Sequence, residues 1–227
     1  MKIVEKKSLN FSERQLPISM LVLHYTETAT DEDALKILTN ANSSHPVSSH
    51  YLIGTDGTLY RLVDEEKRAW HAGISFWRGI TDVNSASIGI EISSKGRDKD
   101  GNAIPFSDNA IATLKILSKD IIRRHKIKPI NIVGHSDIAP TRKIDPGELF
   151  PWKELSQNGI GLWTDKFSPP TSTAEKMLEE IGYDTTDLPA AMQSFQRHFY
   201  PEAFFDEKAE HTINRLAAIH NLIKQSP

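Results

Sequence analysis

The chain contains no cysteine. No disulfide can staple it, no thiolate can hold a metal, and any zinc would need nitrogen and oxygen ligands. There is no excess of positive charge: 27 Lys and Arg against 30 Asp and Glu leave a net charge of −3. That argues against a nucleic-acid binder, which carries a basic stripe. Nowhere is there an apolar run of about 18 residues, so no membrane-spanning helix is expected. Residues Met1 to Asn10 include the polar Glu5-Lys6-Lys7-Ser8 and lack an apolar h-region, so they are not expected to act as a signal peptide. Neither an HExxH helix motif nor a CxxC pair occurs, which removes the better-defined zinc patterns. Internal repeats and low-complexity tracts are also missing. What is left is an ordinary globular composition, 38% hydrophobic and 25% charged over 227 residues. It suffices for one large domain, or for a medium domain with a small one.

Chemistry-bearing residues concentrate in one stretch, Val133-Gly134-His135 through Lys143-Ile144-Asp145-Pro146-Gly147. The apolar β-type run Ile130 to Val133 delivers His135 to a strand end. A loop punctuated by Pro140, Pro146 and Gly147 then carries Lys143 and Asp145. Loops on rigid strands are where catalytic groups tend to sit. A catalytic zinc site takes three protein ligands and leaves one position open. His135 and Asp145 could supply two. The third should come from another strand end, and Leu21-Val22-Leu23-His24-Tyr25-Thr26 offers His24. Either histidine alone also fits a hydrogen-bonded structural role.

Elsewhere, Thr30 or Asp31 caps a helix over 31–38, and Asp56-Gly57 turns a hairpin from Tyr51-Leu52-Ile53 to Thr58–Val63. His50, at the start of that hairpin, fits a partly buried histidine bonded to backbone. Trp70, His71, Trp77 and Arg78 share a glycine-containing loop; flat apolar faces with polar tips suit sugar and peptide ligands, although the tryptophans would equally pin the loop to a core. The β-branched run Ser87–Ile92 holds Glu91. Alternation puts Gly89, Glu91 and Ser93 on one face and Ile88, Ile90 and Ile92 on the other. A buried carboxylate there needs a partner or a function, whereas an edge position would leave it facing solvent. A helix from the Ser107 cap to Lys126 follows, with His125 near its end as a surface residue complementing the dipole. After Pro151-Trp152 the composition changes. Gly159-Ile160-Gly161 and Ser168-Pro169-Pro170-Thr171 read as a linker. Three helical patterns then cover Thr173–Ile181, Pro189–Phe199 and Glu207–Ile223, with His198, His211 and His220 read as surface or satisfied.

Five ordered motifs, His24-Tyr25-Thr26, Val47-Ser48-Ser49-His50-Tyr51, Ala69-Trp70-His71-Ala72-Gly73, Asn84 with Ser87–Ile92, and Gly134-His135-Ser136-Asp137 through Gly147, resemble the zinc-dependent N-acetylmuramoyl-L-alanine amidases, relatives of phage amidases and peptidoglycan recognition proteins. Phe195-Gln196-Arg197-His198-Phe199, with Ile181-Gly182-Tyr183 upstream, resembles a helical peptidoglycan-binding domain, and the whole resembles the two-domain envelope amidases of Gram-negative bacteria. The resemblance implies an α/β fold: a central mixed β-sheet flanked by helices, plus a small C-terminal three-helix domain. Its expected divisions are 1–158 (catalytic), 159–171 (linker) and 172–227 (helical, adding wall affinity and little chemistry). It implies one Zn²⁺ per chain on His24, His135 and Asp145, a catalytic carboxylate at Glu91 and a cationic partner at Lys143. Trp70, His71 and Arg78, with His50 and Asn84, are the expected substrate contacts. The expected substrate is peptidoglycan or its muropeptides, cut at the amide between the muramic lactyl group and L-alanine, by a monomer. Phage relatives carry a tyrosine before the hairpin histidine where this chain has Ser49, which puts the proton transfer on Glu91. A non-catalytic muropeptide-recognition module and a zinc peptidase are the alternatives. Two compartments stay open: the cell envelope or periplasm if a leader was removed, otherwise the cytoplasm.

Overall fold

The computed structural model describes residues 3–205 and 211–225. Its centre is a six-stranded mixed sheet in the order β1-β5-β4-β7-β3-β8. The strands are β1 Ile3–Glu5, β3 Met20–Tyr25, β4 Tyr51–Ile53, β5 Leu59–Arg61, β7 Ser87–Ile92 and β8 Ile132–Gly134; β2 Phe11–Glu13 and β6 Lys67–Ala69 form a separate antiparallel pair. β4, β7, β3 and β8 run parallel, with β8 at one edge of the sheet. Strands buried on both faces read as near-continuous apolar runs, which is how Met20–Leu23 and Ile88–Ile92 read. β4 and β5 make the expected hairpin, with Gly57 at φ +84° in the turn.

Alternation along β3 assigns the two faces. Leu21 and Leu23, with Ile88, Ile90 and Ile92 of β7, pack under helix α3 (Asp108–His125) through Ile111, Leu114, Leu117 and Ile121. Ser107 caps α3 by accepting from the Ala110 N–H at 3.1 Å. Met20 and Val22, with Val133, face the other way. They join one apolar cluster with Trp77 and with Met177, Leu178, Ile181, Phe195, Phe199, Leu216 and Ile219. Those last residues belong to the C-terminal helices α6 (Ala174–Ile181), α7 (Leu188–Phe199) and α8 (Thr212–Gln225). So the C-terminal helices do not close around a core of their own: their apolar faces continue the core of the sheet. The expected start of the last helix, residues 207–210, lies outside the described residues.

The remaining helices are α1 (Asp31–Thr39), capped by Thr30 as expected, α2 (Val83–Ala86), α4 (His135–Ile138) and α5 (Trp152–Gln157). His135 therefore opens a short helix rather than a loop. The Asp137 carboxylate accepts from the Gly134 N–H at 2.7 Å and starts that turn. His125 is not a free surface residue; with Arg124 it pairs with Glu65, at 2.7 Å for His125. No helix among the described residues is long and apolar enough to cross a membrane.

Candidate metal centre

His24 is the penultimate residue of β3, on the face of Met20 and Val22, and the parallel register sets it opposite Glu91 of β7. His135 follows β8 directly, on the other side of β3. Asp145 is brought back by its own carbonyl, which accepts from the Ser136 N–H at 2.9 Å. The three side chains are buried and converge. Nδ1 of His24 lies 3.0 Å from Nδ1 of His135 and 3.2 Å from Oδ2 of Asp145, and the latter two are 3.1 Å apart.

The neighbouring acceptors decide which ring nitrogens carry protons. Nε2 of His135 lies 3.1 Å from the Ala72 carbonyl, which only accepts, so the proton of neutral His135 sits on Nε2 and Nδ1 carries a lone pair. Nε2 of His24 is 3.0 Å from Nδ1 of His71, Nε2 of His71 is 3.3 Å from the Ser87 hydroxyl, and that hydroxyl donates to the Val83 carbonyl at 2.6 Å. Protons on both Nε2 atoms satisfy the whole relay and leave the Nδ1 of His24 bare. Two imidazole lone pairs and a carboxylate oxygen then face one another, an arrangement that calls for a cation. Zinc bonds of about 2.0–2.1 Å put tetrahedral ligand atoms about 3.3 Å apart, close to the spacing here. The electrostatics agree. Burial, then the charge of His135, pushes His24 down to about 4, and burial holds His71 well below its ordinary range.

A cleft of about 480 Å³ opens over this cluster, lined by Tyr25, Trp70, His71, Glu91, Arg142 and Lys143 among others. Glu91 stands on a central strand, not at an edge, and its Oε2 is enclosed with no hydrogen-bond partner among the described residues. Burial and the Asp145 charge raise its pKa well above the ordinary value, against the opposing charge of Lys143. Ser49 is turned away, its hydroxyl donating to the Tyr51 carbonyl at 2.9 Å.

The expected substrate contacts divide. Trp70 lines the cleft. His71 also reaches it, but both ring nitrogens are engaged, one with His24 and one with the Ser87 hydroxyl, so it stands behind His24. His50 matches the backbone-bonded reading: it is fully enclosed, accepts from the Gly89 N–H at 2.9 Å through Nδ1, and meets the Lys67 carbonyl and Arg14 with Nε2. Asn84 is engaged with the backbone of the loop. Its Oδ1 accepts the N–H groups of His71 and Ala72 at 2.9 and 2.8 Å, so it shapes the loop from beneath. Arg78 reaches away from the cleft and donates to the Ile181 carbonyl at 2.6 Å, at the C-terminus of α6. Gly89 was a legible sign of the His71 relay, because a β-carbon there would fall 2.4 Å from Cγ of His71.

The N-acetylmuramoyl-L-alanine amidase family model matches residues 14–148. The N-acetylmuramoyl-L-alanine amidase AmiD of Escherichia coli (strain K12) is 38% identical over 240 residues, spanning 90% of this chain and 85% of that one. A solved complex of E. coli AmiD with the substrate anhydro-N-acetylmuramic acid-L-Ala-D-gamma-Glu-L-Lys superposes with a TM-score of 0.75 at 34% identity, covering 95% of this chain and 98% of that one. The crystal structure of AmpDh3 from Pseudomonas aeruginosa gives 0.80 at 33% identity, covering 92% and 93%.

Proposed function

This chain belongs to the N-acetylmuramoyl-L-alanine amidase family, and we propose that its hydrolysis depends on one zinc ion held by His24, His135 and Asp145. It is a hydrolase of the amide between N-acetylmuramic acid, or its anhydro form, and L-alanine in peptidoglycan and muropeptides. The observation that carries the metal reading is the convergence of two imidazole lone pairs and a carboxylate within 3.0–3.2 Å. A full ligand set beside an unpartnered carboxylate favours catalysis over muropeptide recognition alone.

When bound, the ion supplies Lewis acidity toward the scissile carbonyl and toward a water. The rest falls to the chain. Glu91 takes the proton of the attacking water and returns it to the departing amine. Its raised pKa suits a group that must hold that proton between the two transfers. Lys143, two residues before Asp145 and lining the same cleft, offsets the negative charge that develops on the carbonyl oxygen. Trp70 presents a flat face to the sugar or stem peptide. By their resemblance to a wall-binding unit, the helices beyond residue 172 add affinity for the polymer.

Mass spectrometry of digested muropeptides tests this reading. Free stem peptide beginning at L-alanine, with the sugar released intact, is expected. A chelator should abolish the products and added zinc restore them. Cuts between stem amino acids would make the protein a peptidase, and undiminished cleavage under chelation would refute the metal assignment.

A further inference from the structure

We propose that the C-terminal helices position the metal-binding segment, with Asp137 as the positioning residue through which they act. The proposal rests on reading His24, His135 and Asp145 as zinc ligands. Asp137 lies in α4, the four-residue helix that His135 opens, and its carboxylate is wholly buried. Four donors converge on it. Oδ2 accepts from the Gly134 N–H and from Nδ1 of His198, each at 2.7 Å. Oδ1 accepts from the Tyr183 hydroxyl at 2.6 Å and from the Ser194 hydroxyl at 3.3 Å. Three of these four donors come from the C-terminal segment.

The donors are themselves immobilised. The His198 ring stacks at 3.7 Å on Trp152 and at 3.8 Å on Phe199, and Tyr183 sets its edge against Trp77 at 5.1 Å. A helix of four residues has little internal bonding to fix its own orientation, so outside contacts set how α4 is turned. That turn decides where the His135 imidazole points, with Nε2 anchored on the Ala72 carbonyl and Nδ1 directed at His24 and Asp145. Metal–ligand distances tolerate only about 0.2 Å, so a slight rotation of α4 spoils the site. A buried carboxylate stripped of three of its four donors would have to move toward water or another partner. The helices therefore bear on the chemistry as well as on wall affinity.

The test uses the full chain. Tyr183→Phe combined with Ser194→Ala removes two donors and keeps the shape of the interface; Tyr183→Phe alone is the milder variant if the double one fails to fold. Ile219→Val, in the same apolar cluster but removing no hydrogen-bond donor, controls for lost packing. Zinc dissociation constants come from chelator competition, and the visible spectrum of the cobalt-loaded protein reports ligand geometry. The donor variant should bind zinc about tenfold or more weakly, as outer partners of ligands do, with an altered cobalt spectrum. The control should lose thermal stability and keep both. A donor variant that loses stability alone, with zinc affinity and cobalt spectrum of the wild type, would overturn the proposal. A wild-type protein that binds no zinc would overturn the ligand reading, and this inference with it.

Discussion

Replacing His71 by alanine separates an outer partner of the metal from a substrate contact. In the native arrangement the His24 Nε2–H donates to Nδ1 of His71 at 3.0 Å, inside a buried site. His71→Ala leaves that N–H without an acceptor, and an unsatisfied buried donor costs about 1–3 kcal/mol. It also frees the His24 ring to turn or to change tautomer, and each such state competes with metal binding. One to three kcal/mol corresponds to roughly 5- to 150-fold in zinc affinity, bracketing the 10- to 100-fold typical of lost outer partners. Gly89→Ala should act in the same direction without deleting a polar group, because its β-carbon would press to 2.4 Å from Cγ of His71. The assay is chelator competition for zinc, with kcat and KM measured on a defined muropeptide at saturating metal. Weaker zinc binding and recovery of most activity at high zinc are expected. Unchanged zinc affinity with a raised KM would refute the relay and make His71 a substrate contact.

Three further outcomes follow from the same geometry. Glu91→Ala should keep zinc and lose roughly 10²–10⁴-fold in kcat, the usual worth of general acid–base catalysis; near wild-type turnover in the zinc-loaded variant would leave the carboxylate merely structural. Lys143→Ala should keep zinc and lose on the order of 10²–10³-fold, by analogy with removal of one oxyanion donor, and steady-state kinetics with metal analysis on the same sample decides it. Glu65 gives a stability prediction: burial raises its pKa, but hydrogen bonds from Arg124, His125 and Tyr51 outweigh this and hold it at about 2 against an ordinary 4.5. A depressed carboxylate stabilises the fold above its unfolded pKa, so about 3 kcal/mol should be present above about pH 5 and lost as pH falls from 4.5 toward 2. The gap in Tm between wild type and Glu65→Gln should close across that window, and a gap independent of pH would contradict it.

Much of the site was legible because it follows from strand periodicity and chain order. Alternation in Ser87–Ile92 put Glu91 opposite the isoleucines, and those isoleucines do pack under α3. The ends of β3 and β8 carry the two histidines because parallel strands end together on one side of the sheet. What was not legible has a different cause. His50, Asn84 and Arg78 stand in motifs beside the cleft, yet each is spent on backbone groups, and only three-dimensional proximity reveals those carbonyls and N–H groups. Arg14 shows the same blindness: an unremarkable arginine whose guanidinium reaches the carbonyls of Glu65, Lys67, Asn84 and Ser87. Strands β1 and β2 are three residues each, too short for a period to show. The C-terminal helices were legible as helices, but an amphipathic face does not say what it covers.

What covers that face determines how much of the chain the site depends on. His24 shares the sheet face of Met20 and Val22, which the C-terminal helices bury, while Glu91 is held by the register of β7 against β3. A slip of one residue in that register would turn Glu91 under α3 and bring an isoleucine to the cleft. The pairing on both sides of β7 opposes such a slip. His135 has no comparable lattice of strand bonds beyond Gly134, because its helix leaves the sheet there. Its precision must come from contacts outside the sheet: Ala72 on one side, and Asp137 with Tyr183, Ser194 and His198 on the other. Glu91, the proposed proton carrier, is thus fixed by the sheet. His135, the proposed ligand, is held on the proposed scheme by Ala72 and by the C-terminal residues around Asp137, so disturbing the two should give separable losses, of turnover in one case and of metal in the other.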